Sequence, residues 1–323
     1  MRWALVGTTG WADHTFAGAI TSGGGTLVGA AGSTLERSKA FAKRHGLDTA
    51  YASLDDLLAD DALDVVWVAS PSDLHAEHAV AVLRAGKHLL VEKPLARTRG
   101  ECVPLVTAAA AAAATGRVAV VGFQHRCHPA HLQLRGLVAG GGLGRIVSVR
   151  LRRFVDYGTA PQTWRLSPER SGGWAVNDLG THLIDLVHYV VGPTVFAGAH
   201  LGNPAFGEAT DDLAVVVLRL DGGGAGVVEV ATGVEDGPLV FEVVGLEGRA
   251  TLVDSWGGTA RLETGDGTSA AFEVCDVHRA QVVEVERLAR DTAAGGRPDG
   301  PLASIADGMA VTALVAQAVA VSS

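Results

Sequence analysis

Three side chains have the types and spacing that proton transfer requires. Lys93 follows the apolar run His88–Val91, and Asp178 lies four residues before His182. An imidazole titrates near neutral pH, and a lysine ammonium can stabilise an oxyanion as it forms. A carboxylate one helical turn before the histidine can orient that ring or bind a hydroxyl, although such a pair is often only a helix cap and a packed histidine. We predict that Lys93, Asp178 and His182 are catalytic, with either the lysine or the histidine moving the proton.

The turn after the first predicted strand has the position of a dinucleotide loop. It lies directly between the strand Arg2–Val6 and the next predicted helix. Glycines there permit a tight turn, and the helix N-terminus offers free N–H groups to a pyrophosphate. Thr9 stands where a second glycine is usual, so an ordinary strand–helix turn is the alternative. The candidate pyrophosphate contacts are Gly7, Thr8, Thr9, Gly10, Trp11 and Ala12.

The end of the second predicted strand indicates which dinucleotide is bound. An acidic residue usually binds the ribose 2′-OH at this point, but the chain reads Gly32-Ser33-Thr34, followed by Leu35-Glu36-Arg37. Hydroxyl groups and an arginine fork suit a 2′-phosphate. Glu36 opposes this interpretation unless it faces solvent, and a solvated helix charge is the alternative for Arg37. Ser33, Thr34 and Arg37 therefore favour NADP(H) over NAD(H).

Apolar runs and helical patterns alternate over the first 122 residues, whereas strand-like runs follow one another in the second half. This predicts the α/β fold class, with a doubly wound parallel sheet in residues 1–122 and an α+β domain with a largely antiparallel sheet in residues 123–323. The last helix is a candidate to pack back on the first domain. The predicted strands are Arg2–Val6, Thr26–Ala31, Val65–Ala69, Lys87–Val91, Val118–Val121, Ile146–Phe154, Leu213–Leu220, Gly226–Ala231, Val240–Val244, Ala250–Val253, Ala260–Glu263 and Ala271–Val274. The main predicted helices are Trp11–Thr21, Leu35–His45, Leu54–Ala59, Asp73–Ala85, Arg99–Ala114, Asp178–Val191, Arg279–Ala293 and Ser304–Ala320.

The amino-acid composition of the chain restricts the kinds of partner that it can bind. The 323 residues carry a net charge of −9, which argues against nucleic acid and anionic membranes. Three widely spaced cysteines favour a reducing compartment. The N-terminal strand leaves no room for a signal peptide, and no stretch is typical of a membrane span. We expect a cytoplasmic protein with a small-molecule substrate, no nucleic-acid partner and no membrane partner.

Three histidines at intervals of three residues, between His125 and His131, suggest metal ligands. Pro129 interrupts that segment, and the spacing does not keep three side chains on one helix face. No fourth ligand is evident, so we predict that the protein has no metal site. We assign this segment and the aromatic residue after Gly172-Gly173 to the substrate cleft instead. The candidate substrate contacts are Arg126, His128 and Trp174.

Taken in order, the loop, Glu92-Lys93-Pro94 and Asp178-x-x-x-His182 resemble the glucose–fructose oxidoreductase/inositol dehydrogenase (Gfo/Idh/MocA) family over nearly the whole chain. The resemblance implies a Rossmann domain followed by an open-faced sheet domain. The start Arg2-Trp3 and the run Ser33–Arg37 are most similar to the NADP-dependent 1,5-anhydrofructose reductase branch. Further matches to the family are Ser70–His75, Ala85–His88, Trp164-Arg165 and Gly172-Gly173.

This resemblance implies an NADP(H)-dependent oxidoreductase that transfers hydride between nicotinamide and a carbinol or carbonyl carbon of a sugar, polyol or keto-sugar. The alternatives are an NAD-dependent inositol- or glucoside-type dehydrogenase and a non-catalytic dinucleotide-binding regulator of the same fold. A homodimer or homotetramer joined through the open sheet face is typical of the family. His278 takes the place of a tyrosine that many relatives have near the cofactor. The further implied cofactor contacts are Ser70, Pro71, Leu74, His75, Glu92, Lys93, Trp164 and Arg165.

Overall fold

The computed structural model describes residues 1–8, 10–160, 163–293 and 300–322. The chain divides into two compact units, Met1–Gln124 with Asp276–Met309, and His125–Cys275 with Ala310–Ser323. The sequence analysis placed the boundary after residue 122 and named the last helix as a candidate to pack back on the first domain. In the structure, the segment Asp276–Met309 belongs to the first unit, and Ala310–Ser323 belongs to the second.

The first unit is built on a seven-stranded sheet in the order β15-β6-β5-β4-β1-β2-β3, with labels numbered along the chain. Its strands are β1 Arg2–Val6, β2 Thr26–Ala31, β3 Thr49–Tyr51, β4 Val65–Val68, β5 His88–Val91, β6 Ala119–Val121 and β15 Ala303–Ser304. Its helices include α1 Ala17–Ser22, α2 Leu35–His45, α3 Leu54–Leu58, α4 His75–Arg84, α5 Arg99–Ala113 and α9 Val277–Ala293. All pairings are parallel except that of β15 with β6. The central strands β4 and β5 are buried at every residue, as helices on both faces require. This confirms the predicted doubly wound α/β domain.

The strand order reverses at β1, which lies between β4 and β2. Open α/β sheets bind ligands outside the carboxyl ends of their strands at such a switch point. Gly7 follows β1 and Ala69 follows β4, and a Cβ added to Gly7 would lie only 2.4 Å from the Ala69 carbonyl oxygen. The sheet therefore brings two of the predicted cofactor loops side by side.

Helix α9 completes the core of the first unit. Its Val282 and Val285 are fully buried in the same hydrophobic cluster as Trp3. Glu286 is 2% exposed and accepts a hydrogen bond from Trp3 Nε1 at 3.0 Å. The same carboxylate pairs with the α-amino group of Met1 at 3.1 Å. The sequence predicted this helix, but its packing partner is about 280 residues away along the chain.

The second unit contains an eight-stranded sheet in the order β14-β13-β12-β11-β7-β10-β9-β8. Its strands are β7 Ile146–Val155, β8 Thr194–Gly202, β9 Leu213–Leu220, β10 Ala225–Thr232, β11 Val240–Gly245, β12 Arg249–Val253, β13 Ala260–Thr264 and β14 Ser269–Phe272, and its helices include α6 Pro129–Ala139, α7 Pro168–Ser171 and α8 Thr181–Val191. Only the pairing of β7 with β10 is parallel. Helix α8 packs on β7 and β10, whereas Arg150 and Arg152 of β7 are exposed. This confirms the predicted open-faced, largely antiparallel α+β domain.

Two helices begin with a π-helical turn that the sequence did not predict. Ala12–Phe16 leads into α1, and Val176–Gly180 leads into α8. Plain helices were expected from Trp11 and Asp178. Single π turns are uncommon and often occur at functional sites. Here they lie in the two segments for which we predict pyrophosphate binding and acid–base chemistry.

The last helix, α10 Ile305–Ser322, is long and apolar enough to cross a membrane, judged by length and composition alone, with a mean hydropathy of 1.6. The sequence analysis identified no such span. Val311, Leu314 and Ala318 of this helix are buried within the protein. A core helix meets the same criteria, so this feature is only weak support for a membrane span.

Candidate active site

The dinucleotide loop follows β1 with a backbone that favours glycine. Gly7 has φ +115° and Gly10 has φ +57°. After Gly10 the chain enters the Ala12–Phe16 π turn, and Asp13 N and His14 N donate to the Gly10 carbonyl oxygen at 3.1 and 3.0 Å. The dipole of the helical segment that begins here favours a negative charge beside the loop. Thr8 in this loop is buried, and Thr9 lies outside the described residues. The structure therefore gives the predicted pyrophosphate loop a suitable backbone.

Gly7→Ala is expected to abolish dinucleotide binding and to lower the free energy of unfolding by about 2–4 kcal/mol. The new Cβ would meet the Ala69 carbonyl oxygen at 2.4 Å, and alanine rarely adopts φ +115°. A side-chain rotation cannot relieve a clash with backbone. Urea unfolding and a nucleotide titration measure both effects. Gly18→Ala in α1 is the matched control, because its Cβ would meet nothing within 4 Å; wild-type binding by Gly7→Ala would contradict this account of the loop.

Ser33 and Arg37 are exposed just beyond the carboxyl end of β2. Thr34 caps α2, because its Oγ1 accepts a hydrogen bond from Arg37 N at 3.3 Å. A Cβ added to Gly32 would lie 2.8 Å from Thr8 Oγ1, so this end of β2 borders the dinucleotide loop. The structure therefore places Ser33 and Arg37 where we predict the adenosine end, and it gives Thr34 a capping role.

His75 connects two loops that we predict to bind the cofactor. Its Nδ1 lies 2.7 Å from the Pro94 carbonyl oxygen, and its Nε2 lies 2.7 Å from the Ser70 carbonyl oxygen. Burial lowers the pKa of His75 to about 4, against the effect of these two acceptors. An uncharged ring has a single N–H, so it donates to one of the two carbonyls and only contacts the other. His75 thus packs between the two loops, whereas contact of His75, Pro71 and Leu74 with the cofactor stays a prediction.

Lys93 follows β5 and is half-buried. The preceding Glu92 accepts a hydrogen bond at Oε1 from Trp67 Nε1 at 3.0 Å. A Cβ on Gly122 would lie 2.7 Å from this oxygen, so only glycine leaves room for the carboxylate there. Glu92 is thereby anchored to the sheet, which fixes the backbone that presents Lys93.

His278, near the start of α9, stacks on Trp11 with ring centroids 6.1 Å apart and an interplanar angle of 28°. Burial lowers the pKa of His278 to about 4; Asp276 opposes this effect, and the positive charge of Lys93 adds to it. His278 is therefore uncharged at neutral pH. Trp11 itself is 57% exposed beside the dinucleotide loop. The structure thus places His278 against Trp11, one of the predicted cofactor residues, where the resemblance implied a tyrosine.

In the second unit, Asp178 lies in the π turn before α8 and accepts a hydrogen bond from the Tyr157 hydroxyl at 3.1 Å. The residue is 41% exposed, but partial desolvation of its phenol and the negative charge and hydrogen bond of Asp178 raise the pKa of Tyr157 above its usual value. Trp174 is 2% exposed and stacks on Tyr157, with ring centroids 6.0 Å apart. The sequence analysis missed Tyr157 because nothing around it forms a motif.

Asp211 holds the segment that precedes the predicted catalytic pair, Asp178 and His182. Its carboxylate accepts hydrogen bonds from Trp174 N at 2.7 Å and Val176 N at 2.8 Å. Gly173, at φ +121°, makes this approach possible, because a Cβ there would lie 2.7 Å from Asp211 Oδ1. Burial raises the pKa of Asp211 to about 6, although the two N–H donors favour its charged form. Sequence reasoning also missed this residue, since an Asp-Asp pair in a loop has the composition of a solvated turn.

His182 lies in the first turn of α8 and is 4% exposed. The rings of His125 and Trp256 lie 5.1 Å and 5.3 Å from it, each nearly perpendicular to the imidazole. Asp178 and His182 thus belong to one continuous helical segment, as predicted, within the second unit. Lys93 belongs to the first unit.

The structure gives Arg126 and His128 roles within the second unit. Arg126 forms a buried ion pair with Asp185, at 2.6 Å from Nη2 to Oδ1 and 2.9 Å from Nε to Oδ2. His128 caps α6, because its Nδ1 accepts a hydrogen bond from Ala130 N at 3.1 Å. Asp185 is 1% exposed, so this ion pair lies in the interior of the second unit. Substrate contact by Arg126, His128 and Trp174 stays a prediction.

Trp164 and Arg165 also lie in the second unit, on a short 3₁₀ turn, with the guanidinium 4.8 Å from the indole centroid. Contact of Trp164 and Arg165 with the cofactor also stays a prediction.

His131, from the candidate metal segment, uses both ring nitrogens, with Nδ1 at 2.7 Å from the His125 carbonyl oxygen and Nε2 at 2.9 Å from Ser255 Oγ. Across the residues that the structure describes, no group of three or more His, Cys, Asp or Glu side chains could hold a metal ion.

A glycine loop at the switch point of a parallel sheet, a lysine after a neighbouring strand and an Asp–His pair at the start of a helix define a nicotinamide-dependent oxidoreductase. The chain belongs to the GFO/IDH/MocA oxidoreductase family. Residues 1–123 match the model described as "Oxidoreductase family, NAD-binding Rossmann fold", and residues 131–251 match the GFO/IDH/MocA C-terminal domain. These matches confirm the family predicted from the motifs and the class of NAD(P)-dependent oxidoreductase.

Similar proteins include the 1,5-anhydro-D-fructose reductase of Ensifer adhaerens, which is 30% identical over 276 residues, or 83% of this chain and 81% of that protein. The levoglucosan dehydrogenase of Pseudarthrobacter phenanthrenivorans is 31% identical over 235 residues, or 64% of this chain and 60% of that protein. A solved structure of levoglucosan dehydrogenase in complex with NADH and levoglucosan has a TM-score of 0.85 and 24% identity, and the match covers 100% of this chain and 96% of that one. At that identity, the structural likeness concerns the fold alone.

Proposed function

We propose that the protein is an NADP(H)-dependent oxidoreductase that transfers hydride between nicotinamide and a carbinol or carbonyl carbon of a sugar, polyol or keto-sugar. The observation that carries the cofactor choice is the exposed pair Ser33 and Arg37 beyond β2, where the turn lacks a carboxylate. The substrate class rests on the relatives, whose names are those of sugar and anhydrosugar reductases and dehydrogenases.

In this proposal the three chemical residues have separate roles. His182 moves the proton that accompanies hydride transfer, because imidazole works near neutral pH. Lys93 donates to the reacting oxygen and stabilises its alkoxide character. Asp178 orients the substrate or the imidazole, and the hydrogen bond from Tyr157 holds its carboxylate. In the competing variant, Lys93 is the acid–base group.

An NAD-dependent dehydrogenase of the inositol or glucoside type is the second candidate. The levoglucosan dehydrogenase structure contains NADH, so the shared fold also serves the cofactor without a 2′-phosphate. In this chain Thr34 already caps α2. The 2′-phosphate would therefore depend on Ser33 and Arg37, and the cofactor choice can be tested at these two residues.

Titration with NADPH and NADH, followed by quenching of the six tryptophans, tests the cofactor choice. NADPH is expected to bind more tightly, and Arg37→Ala should weaken NADPH binding by about 10–100-fold while leaving NADH binding unchanged, since a hydrogen bond to a charged group contributes about 1.5–3 kcal/mol. Lys43→Ala is the control on the same helix, because Lys43 is an exposed cation in its last turn, away from Ser33. Tighter NADH binding by the wild-type protein would favour the second candidate, and binding of neither would contradict the enzyme proposal. A panel of sugars and polyols, followed by nicotinamide absorbance, then identifies the substrate.

Association as a homodimer or homotetramer through the open sheet face is part of this proposal. The side chains of Arg150 and Arg152 alternate with buried residues along β7, so this face offers charged groups in register with Glu242 and Glu229 of the neighbouring strands. A cytoplasmic location stays a prediction.

A further inference from the structure

Trp256 is an aromatic residue that the proposed mechanism does not yet use. It lies in the turn between β12 and β13, about 70 residues beyond His182 in the sequence. Its indole is half-buried and packs within the second unit against the rings around His182. A single tryptophan in a surface turn is ordinary, but the indole of Trp256 contacts the ring of His182, the residue proposed to move the proton.

Three rings form a compact cluster. Trp256 stacks on His125 with centroids 3.8 Å apart and an interplanar angle of 27°. The His182 imidazole meets this pair nearly at right angles, at 85° to Trp256 and 90° to His125. Stacked and edge-to-face arrangements are the favoured geometries of aromatic pairs. The imidazole of His182 is therefore confined by two ring surfaces, which limits rotation about its side-chain bonds.

The turn that carries Trp256 is itself held in an unusual conformation. Asp254 has φ +64°, the only positive value among the described non-glycine residues. Gly258 leaves room for the Asp254 carboxylate, because a Cβ there would lie 1.9 Å from Asp254 Oδ2. Aspartate is one of the few non-glycine residues that adopt this conformation in turns. The Asp254 backbone and the space at Gly258 thus define the conformation of this turn, and Trp256 lies at its centre.

Ser255 ties this turn to the segment that carries His125. Its Oγ lies 2.9 Å from His131 Nε2, and the other nitrogen of His131 lies 2.7 Å from the His125 carbonyl oxygen. His131 is fully buried and Ser255 is 2% exposed, so water does not compete for these hydrogen bonds. The stack of Trp256 on His125 is therefore fixed both through the rings and through the backbone.

We propose that Trp256 is a positioning residue for His182, which holds the imidazole in the orientation that proton transfer needs. This inference rests on the proposed function of His182. The reason is geometric: a general acid–base must keep its nitrogen within hydrogen-bond reach of the reacting oxygen, and small displacements cost large factors in rate. Trp256 acts through the imidazole and takes no part in the transfer itself.

Trp256→Leu is expected to lower kcat by about 3–10-fold, the size of one aromatic contact, while the affinity for the nicotinamide cofactor stays within about twofold. Trp256→Phe should recover most of the rate, because it keeps a flat ring at this position. Gly258→Ala should resemble Trp256→Leu in part, since it displaces the Asp254 carboxylate. Gly257→Ala is the matched control in the same turn, because its Cβ would meet nothing within 4 Å. Equal kcat values for Trp256→Leu and the wild type would overturn the proposal.

A spectroscopic measurement separates this inference from the proposed function. In protein labelled with ¹³C-histidine, the His182 ring signal is assigned by its loss in His182→Gln. Trp256→Leu is expected to broaden or split this signal, because the imidazole then samples more than one side-chain orientation, and Gly257→Ala is expected to leave one sharp signal. This measurement needs neither substrate nor cofactor. A single sharp signal in Trp256→Leu, even if it is displaced by loss of the indole ring current, contradicts the inference, whereas a wild-type protein that transfers no hydride to any substrate contradicts the proposed function.

Discussion

His182→Ala is expected to lower kcat by about 10²–10⁴-fold with little change in cofactor affinity, because a positioned acid–base group contributes a factor of this size. Lys93→Met, which keeps the length of the side chain and removes its charge, is expected to lower kcat by about 10²–10³-fold through loss of the donor to the reacting oxygen. Steady-state kinetics with the substrate identified by the panel, together with nucleotide titration, measures both effects.

The two variants also decide which residue transfers the proton. If one variant loses the pH dependence of kcat that the wild type shows near neutral pH, the residue replaced in it is the acid–base group. The other variant should keep this pH dependence at a lower overall rate. His200→Ala and Lys39→Met are matched controls, since both side chains are exposed on the outer surface of their own units. Near-normal turnover after either His182→Ala or Lys93→Met would remove that residue from the mechanism.

Asp211→Ala is expected to lower the free energy of unfolding by about 2–6 kcal/mol, because it leaves the buried N–H groups of Trp174 and Val176 without their acceptor at about 1–3 kcal/mol each. It should also lower kcat, since the tether of the π turn that carries Asp178 is lost. Asp221→Ala is the control, because that exposed carboxylate accepts from Gly222 N, also exposed, at 2.9 Å. Unchanged stability in Asp211→Ala would show that the segment is held by other contacts.

The pKa of Asp211, raised from 3.8 to about 6, adds a pH dependence with a definite sign. The folded protein holds this proton more tightly than the unfolded chain does. The contribution of Asp211 to the free energy of unfolding therefore falls as pH rises from about 4 to about 6, and it is constant above that range. Asp211→Asn cannot ionise and should flatten this part of the curve. Urea unfolding of both proteins across this pH range checks the difference between the curves.

The sequence predicted most elements of the fold because their periodicity is strong. The fully apolar strand β4 is buried at every residue, and helix α4, which follows it, buries Ala79, Val80, Val82 and Leu83. Strand β8 was missed because Thr194–Gly202 is rich in alanine and glycine, which have low strand propensity. Its pairing with β9 is also interrupted by a register shift after Phe196. Strand β14 lies two residues earlier than predicted.

The sequence predicted candidate site residues only where they belong to a recognisable motif. Gly7, Lys93 and His182 stand in recognisable segments, and the structure places each at the start or end of the expected element. Asp211 and Trp256 act through a backbone hydrogen bond and a ring contact with residues far away in the sequence. Such contacts depend on tertiary packing, so neither spacing nor composition indicates them.

Because α9 belongs to the first unit, that unit cannot complete its core until α9 has been synthesised. Trp3 leaves the ribosome long before Glu286, which accepts its indole N–H and follows 283 residues later. Until then, the apolar surface that Val282 and Val285 cover in the finished protein stays open. All of the second unit except its C-terminal segment has been made by that time. The part of the chain that is translated first is therefore completed among the last, and a nascent chain that stalls before α9 exposes an unfinished core to chaperones and proteases.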